Sequence, residues 1–175
     1  DAPIMIQSKR ERRIGLMQWG FKGFGTNKPI INCRAETIGS KPLFKGAFEK
    51  RRCIIPASCF FEWSEVAGEK TKQQYTVELP NQSVMCIAGI YTNTKDDEGN
   101  DHWRFSIVTR EANAAMRAIH PRMPLILQAS DIDVWLNPVS DLKTVAALLS
   151  YDIGDLSLKR THSNPVDFHQ FTIDT

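Results

Sequence analysis

FFEWSEV (residues 60–66), QQYTVEL (73–79), VMCIAGIY (84–91) and WRFSIVT (103–109) follow one another through the middle of the chain, separated by Ala67-Gly68-Glu69, Pro80-Asn81-Gln82 and the polar stretch from Lys95 to Asn100. β-branched and aromatic residues dominate each run and turn formers fill each gap, which predicts successive strands in an antiparallel meander. Upstream, Ile14 to Trp19 reads as another strand, Gly20 to Pro29 as a Gly-rich loop and Ile30-Ile31 as a short apolar run. Between Pro42 and Arg51, Leu43, Phe44, Ala47 and Phe48 fall on one face of a short helix, and Cys53-Ile54-Ile55 should form a strand ended by Pro56. Downstream, Glu111 to Ile119 is helical in composition, with Thr109 as its expected N-cap. Ser130 to Asp133 resembles the start of a short helix ending near Asn137-Pro138, a last helix spans Asp141 to Leu149, and Leu156 to Arg160 reads as a final strand. Strands fill the middle and helices gather late. The expected fold class is therefore α+β, with a curved, largely antiparallel, barrel-like sheet and peripheral helices, rather than alternating βαβ units.

At 175 residues the chain suits one domain over residues 1–175. Its composition, 42% apolar and 24% charged, is that of a soluble globular protein, and no segment has the apolar length of a transmembrane helix or the layout of a signal peptide. A cytoplasmic monomer without a membrane partner is the expectation. A net charge of +2 does not by itself imply a polyanionic partner, and short basic runs such as Lys50-Arg51-Arg52 read first as solvated surface. Cys33, Cys53, Cys59 and Cys86 form no CxxC pair and share no zinc-ligand spacing with histidine, so free thiols are expected and no metal site is assigned. No P-loop or GxGxxG occurs, and no cofactor is expected. The sequence opens on Asp1-Ala2-Pro3 and passes at once into Ile4-Met5-Ile6, as the middle of a domain would; residues preceding Asp1 are expected.

Three clusters can carry chemistry. Asn32-Cys33-Arg34-Ala35-Glu36-Thr37 follows Ile30-Ile31; if a strand continues through it, Asn32, Arg34 and Glu36 share one face. The alternative is a solvent-facing stripe with an Arg–Glu pair. Phe60-Phe61-Glu62-Trp63 sets a carboxylate among aromatic side chains, where burial would raise its pKa into the range useful for proton transfer. The alternative is an exposed edge position for Glu62, with Trp63 as core. His120-Pro121-Arg122-Met123-Pro124 presents an imidazole and a guanidinium between two prolines, or else simply caps the preceding helix with His120.

In order, Trp19-Gly20, Ile31 to Thr37, Arg52 to Ala57 with Phe60 to Trp63, Ala88-Gly89-Ile90-Tyr91, His120 to Leu127 and Trp135 to Pro138 resemble the SRAP family (SOS response-associated peptidases) over roughly residues 15–138. The resemblance implies a protein that binds single-stranded DNA and crosslinks to abasic sites. In that family the α-amine and thiol of an N-terminal Cys form a thiazolidine with the ring-opened sugar, and the same site removes the residues that precede the Cys. Carried over by motif, the catalytic residues are Asn32, which would hold the amine and sugar oxygen, Glu62, which would shuttle protons, and His120, which would assist imine formation. Arg34 and Arg122 would grip flanking phosphates, with Trp63 and Trp19 completing the DNA-binding set. The family's opening Cys-Gly-Arg block does not occur here, so the resemblance puts the nucleophile upstream of Asp1. Gly20 to Lys28 lacks the Pro and Trp common in the family after Trp-Gly, and Ser163 to Val166 only loosely matches its final strand. The alternative to covalent capture is a non-covalent module for single-stranded or modified DNA.

Overall fold

The computed structural model describes residues 1–161 except Arg10, Phe24, Thr26, Asn27, Glu69, Asp96 and Asp97; the 163–166 tail and part of the Gly20–Lys28 loop lie outside the described residues. In chain order the strands and helices are β1 (Ala2–Ser8), β2 (Glu11–Trp19), β3 (Asn32–Arg34), α1 (Pro42–Lys50), β4 (Arg52–Ala57), β5 (Phe60–Ser64), β6 (Gln73–Glu78), β7 (Met85–Lys95) and β8 (Asp101–Glu111). They continue with α2 (Ala114–Arg117), β9 (Arg122–Pro124), β10 (Ile126–Leu127), α3 (Ile132–Leu136), α4 (Leu142–Leu148) and β11 (Ser157–Arg160).

Strands β7, β4, β1, β2 and β8 pair in that order, and β8 pairs back onto β7, so the main sheet closes on itself as a barrel-like ring. The α+β class and the barrel-like sheet hold. The simple meander does not. Strands β5 and β6 form a hairpin that leaves the ring and joins β11 in a separate three-stranded sheet, whereas β7 and β8 pair within the ring over seven residue pairs, as β1 and β2 do. Two pairings are parallel, β2 with β8 and β3 with β8. Spacing along the chain reports none of this, because both parallel contacts join segments far apart in sequence.

Each ring strand presents one face inward. Ile4, Met17, Cys53, Ile55, Ile87 and Phe105 come from all five strands and share one buried cluster, which extends to Val77 of the smaller sheet and Met116 of α2. The opposite faces of β4 and β7, through Ile54, Ala88 and Ile90, pack with Phe44, Ala47 and Phe48 of α1, Trp135 of α3 and Val145 of α4. Gly89 sits where the inward face is tightest. A Cβ there would lie 2.5 Å from Ile55 Cδ1 and 3.0 Å from Cys53 Sγ, which accounts for the glycine in the Ala88 to Tyr91 motif.

Beyond Gly89 and Ile107, β7 and β8 part, and the segment from Arg122 to Leu127 fills the gap. Its first half pairs with β8 as β9 and its last residues pair with β7 as β10. Leu125 bridges the two, donating its N–H to Val108 O and accepting from Ala88 N, both at 2.8 Å.

Several boundaries differ from those expected. β4 runs through Pro56, which the antiparallel pairing with Cys86 tolerates, and β1 forms where only an apolar stretch was read. The helix after β8 is a single turn capped by Asn113, whose side chain accepts the Met116 N–H at 3.1 Å; Thr109 remains in β8. Among the described residues no helix is long and apolar enough to cross a membrane.

Candidate functional site

Where β8 outruns the ring, its inward face continues under β5 and forms a cavity of about 160 Å³. Asn32, Glu62 and His120 all line it, together with Trp19, Phe60, Phe61, Thr109 and Arg122. Three elements converge to do this. The parallel pairing of Asn32 with Ile107 holds β3 against β8, the β5–β6 hairpin brings Glu62 over the opening, and the turn after α2 delivers His120.

Alternation along β5 decides what Glu62 and its neighbours face. Phe60, Glu62 and Ser64 are half-buried, while Phe61 and Trp63 are 43% and 46% exposed. Glu62 is thus neither a fully exposed edge residue nor sealed in the core, and Trp63, on the opposite face, does not line the cavity. Trp63 is not core either.

His120 Nδ1 lies 3.7 Å from Glu62 Oε2. The same nitrogen lies 3.1 Å from the Arg122 backbone N–H, which can donate to it, and 2.9 Å from Arg122 O. The ring therefore bonds forward along the chain instead of capping the last carbonyls of α2. An unprotonated Nδ1 accepts from Arg122 N; a protonated one donates to Arg122 O, with Glu62 nearby.

The first cluster is corrected. β3 ends at Arg34, and Ala35 to Thr37 turn as a 3-10 helix, so Glu36 leaves the Asn32 and Arg34 face. Its partner is Arg122, not Arg34. Arg122 Nη1 and Nη2 donate to the two Glu36 carboxylate oxygens at 2.7 and 3.0 Å, and Nη2 also donates to Thr109 O at 2.7 Å. Hydrogen bonding from Arg122 holds the Glu36 carboxyl below the usual carboxylate range. Arg34 is exposed and does not line the cavity.

Trp19 forms one wall. Its indole stacks on Phe105, with centroids 6.2 Å apart and planes 5° apart, and donates Nε1–H to Ile31 O at 2.9 Å. Two lining residues missed in the sequence, Phe60 and Phe61, belong to the Glu62 motif; Phe60 had a signal in the β5 alternation, which puts it on the Glu62 face, and Phe61, on the other face, had none. Thr109 had none, since it lies in a strand with no motif of its own.

Burial pushes the Cys33 thiol up to about 12 and raises Cys53 well above its ordinary value. Neither is available as a thiolate near neutral pH.

Residues 1–165 match the family model described as SOS response associated peptidase (SRAP). The Bacillus subtilis "Abasic site processing protein YoqW" is 34% identical over 166 residues, covering 91% of this chain and 74% of that protein. "Abasic site processing protein HMCES" of Xenopus tropicalis is 26% identical over 173 residues, covering 78% of this chain and 51% of that protein. A crystal structure of a Bacteroides thetaiotaomicron protein superposes with a TM-score of 0.79 at 30% identity, over 92% of this chain and 73% of that one.

Proposed function

The chain belongs to the SOS response associated peptidase family, and from that premise we propose that it binds single-stranded DNA and captures abasic sites covalently through an N-terminal cysteine upstream of Asp1. The observation that carries this reading is the convergence of Asn32, Glu62 and His120 on one cavity, with Glu62 and His120 3.7 Å apart.

The chemistry follows from the groups. An α-amine, with a pKa of about 7.7–8.0, is partly neutral near pH 7 and attacks the aldehyde carbon of the ring-opened sugar. Loss of water gives a Schiff base. The thiol sulfur then adds to the imine carbon, its proton passes to nitrogen, and a thiazolidine closes. In this scheme Asn32 holds the amine and the sugar oxygen, Glu62 carries protons during ring opening and reversal, and His120 assists dehydration to the imine. Arg34 and Arg122 serve the flanking phosphates, and Trp19 and Trp63 offer stacking faces to neighbouring bases. Self-processing of the N-terminus uses the same three polar groups; general proteolysis is not part of the reading.

The test is to incubate the full-length protein with an abasic-site oligonucleotide and look for a denaturant-stable adduct by gel and intact mass. An adduct is expected, slowed roughly a hundredfold by Glu62→Gln or His120→Ala, as loss of a general acid or base would do. An adduct formed equally by a chain beginning at Asp1 would overturn the assigned nucleophile. Binding without adduct formation would leave a non-covalent module.

A further inference from the structure

Arg122 lines the cavity and bonds to two other elements of the site. Its guanidinium spans both oxygens of Glu36 and the carbonyl of Thr109, while its Nε is buried without a partner. Its backbone N–H meets His120 Nδ1 at 3.1 Å. Glu36, in turn, lies in the 3-10 helix directly after β3, the strand that carries Asn32. The bidentate pair therefore ties the element presenting Asn32 to the segment presenting His120, across residues 86 apart in sequence. Bidentate pairing between guanidinium and carboxylate fixes orientation as well as distance.

We propose that Glu36 is a positioning residue, which through Arg122 holds the His120 ring against the Arg122 backbone and fixes its place relative to Asn32. This rests on the functional reading above and deepens it in two ways. The brace holds the imidazole in one ring state, because Nδ1 faces both the Arg122 N–H at 3.1 Å, which favours an acceptor, and Arg122 O at 2.9 Å, which favours a donor, and the set of the Arg122 backbone decides between them. It also offsets part of the Arg122 charge. Arg122 then acts as a strut whose charge reaches a flanking phosphate only in part while Glu36 holds it, and the exposed Arg34 carries the larger share of the grip.

The two consequences pull in opposite directions when Glu36 is neutralised. In Glu36→Gln the brace loosens, while the Arg122 charge is released toward DNA. Capture of an abasic site by the full-length protein should slow at least tenfold. Affinity for an intact single-stranded oligonucleotide of the same length should be unchanged or higher, and the slope of log K against log salt should steepen by about 0.7, one additional phosphate contact on a single strand. Imidazole ¹⁵N shifts of His120 should show one dominant ring state in the unaltered protein and a changed distribution in the variant.

Capture by Glu36→Gln at the unaltered rate would overturn the proposal, as would a parallel loss of intact-DNA binding with the fold preserved. Failure of the functional reading looks different: the unaltered protein then forms no adduct, and the His120 shifts alone decide. Identical shifts in the two proteins overturn the brace, and altered shifts support it. Should Glu36→Gln not fold, Arg122→Lys provides the second test. It keeps the charge but cannot span two oxygens and a carbonyl, so it should slow capture comparably and shift the His120 signals; wild-type behaviour in both would overturn the proposal.

Discussion

Arg52 is 2% exposed, and its guanidinium donates to carbonyls: Phe48 and Glu49 at the end of α1, both at 2.7 Å, and Trp135 and Asn137 at the end of α3, the former at 2.6 Å. It closes two helix C-termini at once, supplying donors where the last turns have none. Desolvation lowers its pKa, yet the ordinary value is high enough that it stays charged. Within the run Lys50-Arg51-Arg52 the sequence suggested solvated surface, and the structure grades it from exposed to half-buried to buried. A charge run carries no sign of which member turns inward; the strand that begins at Arg52 decides it. Arg52→Met should cost roughly 3 kcal/mol or more, because it leaves several buried acceptors unpaired. Urea unfolding followed by circular dichroism would measure this. Arg52→Lys should recover less than half, since one ammonium cannot reach both helix ends. Asn32, Glu62 and His120, by contrast, are grouped in the sequence by the resemblance of their motifs to the SRAP family; composition leaves each with a bland alternative, and the structure brings the three to one cavity.

At the scale of elements, β5 shows what alternation reveals and what it hides. Period two correctly separates Glu62 from Trp63, but not which sheet the strand joins, and the departure of β5 and β6 from the ring is what carries Glu62 over the cavity. The two exposed tryptophans then differ in structural weight. Trp63→Ala should change stability by no more than about 0.5 kcal/mol, as an exposed position on an outer face does. Trp19→Ala should cost about 1–2 kcal/mol, because it removes a stacked ring and a hydrogen bond that tether β2 to the segment before β3. Equal costs would mean that the faces of β5 are misassigned. The splay of β7 from β8 belongs to this scale too: the inserted Arg122–Leu127 segment was read as following a helix, not as filling a gap between two strands. Gly89, at the point of divergence, should tolerate no side chain cheaply. Gly89→Ala is expected to destabilise by about 1–3 kcal/mol through overpacking, measurable as a lowered thermal midpoint.

Over the whole molecule, ring closure depends on pairings between distant segments, β1 with β4 and β2 with β8, each only a few residues long. The α+β class could be read from the distribution of strands and helices; the closure could not, since no local pattern encodes a contact between Met5 and Ile54. Two thiols are sealed by this packing, Cys53 within the ring and Cys33 in the layer between sheet and helices, and that gives the fold a pH signature. Cys33 is 1% exposed and its thiol is pushed up to about 12 by burial, while Cys53 is fully buried and shifted the same way. In the unfolded chain both ionise near an ordinary thiol pKa of about 8.5. A group whose folded pKa is raised contributes stability that is complete below the unfolded value and is lost as pH rises toward the folded one. Between pH 9 and 11 the Cys33 thiol should therefore remove about 1.4 kcal/mol of stability per pH unit, and Cys53 acts in the same direction. Cys33→Ala isolates one of them. The variant starts lower at pH 8 because of the small cavity, but its urea midpoint should fall less steeply from pH 8 to pH 10 than that of the unaltered protein. Parallel lines for the two proteins would mean that Cys33 ionises as readily in the folded chain as in the unfolded one, and that the layer between sheet and helices does not exclude water from it.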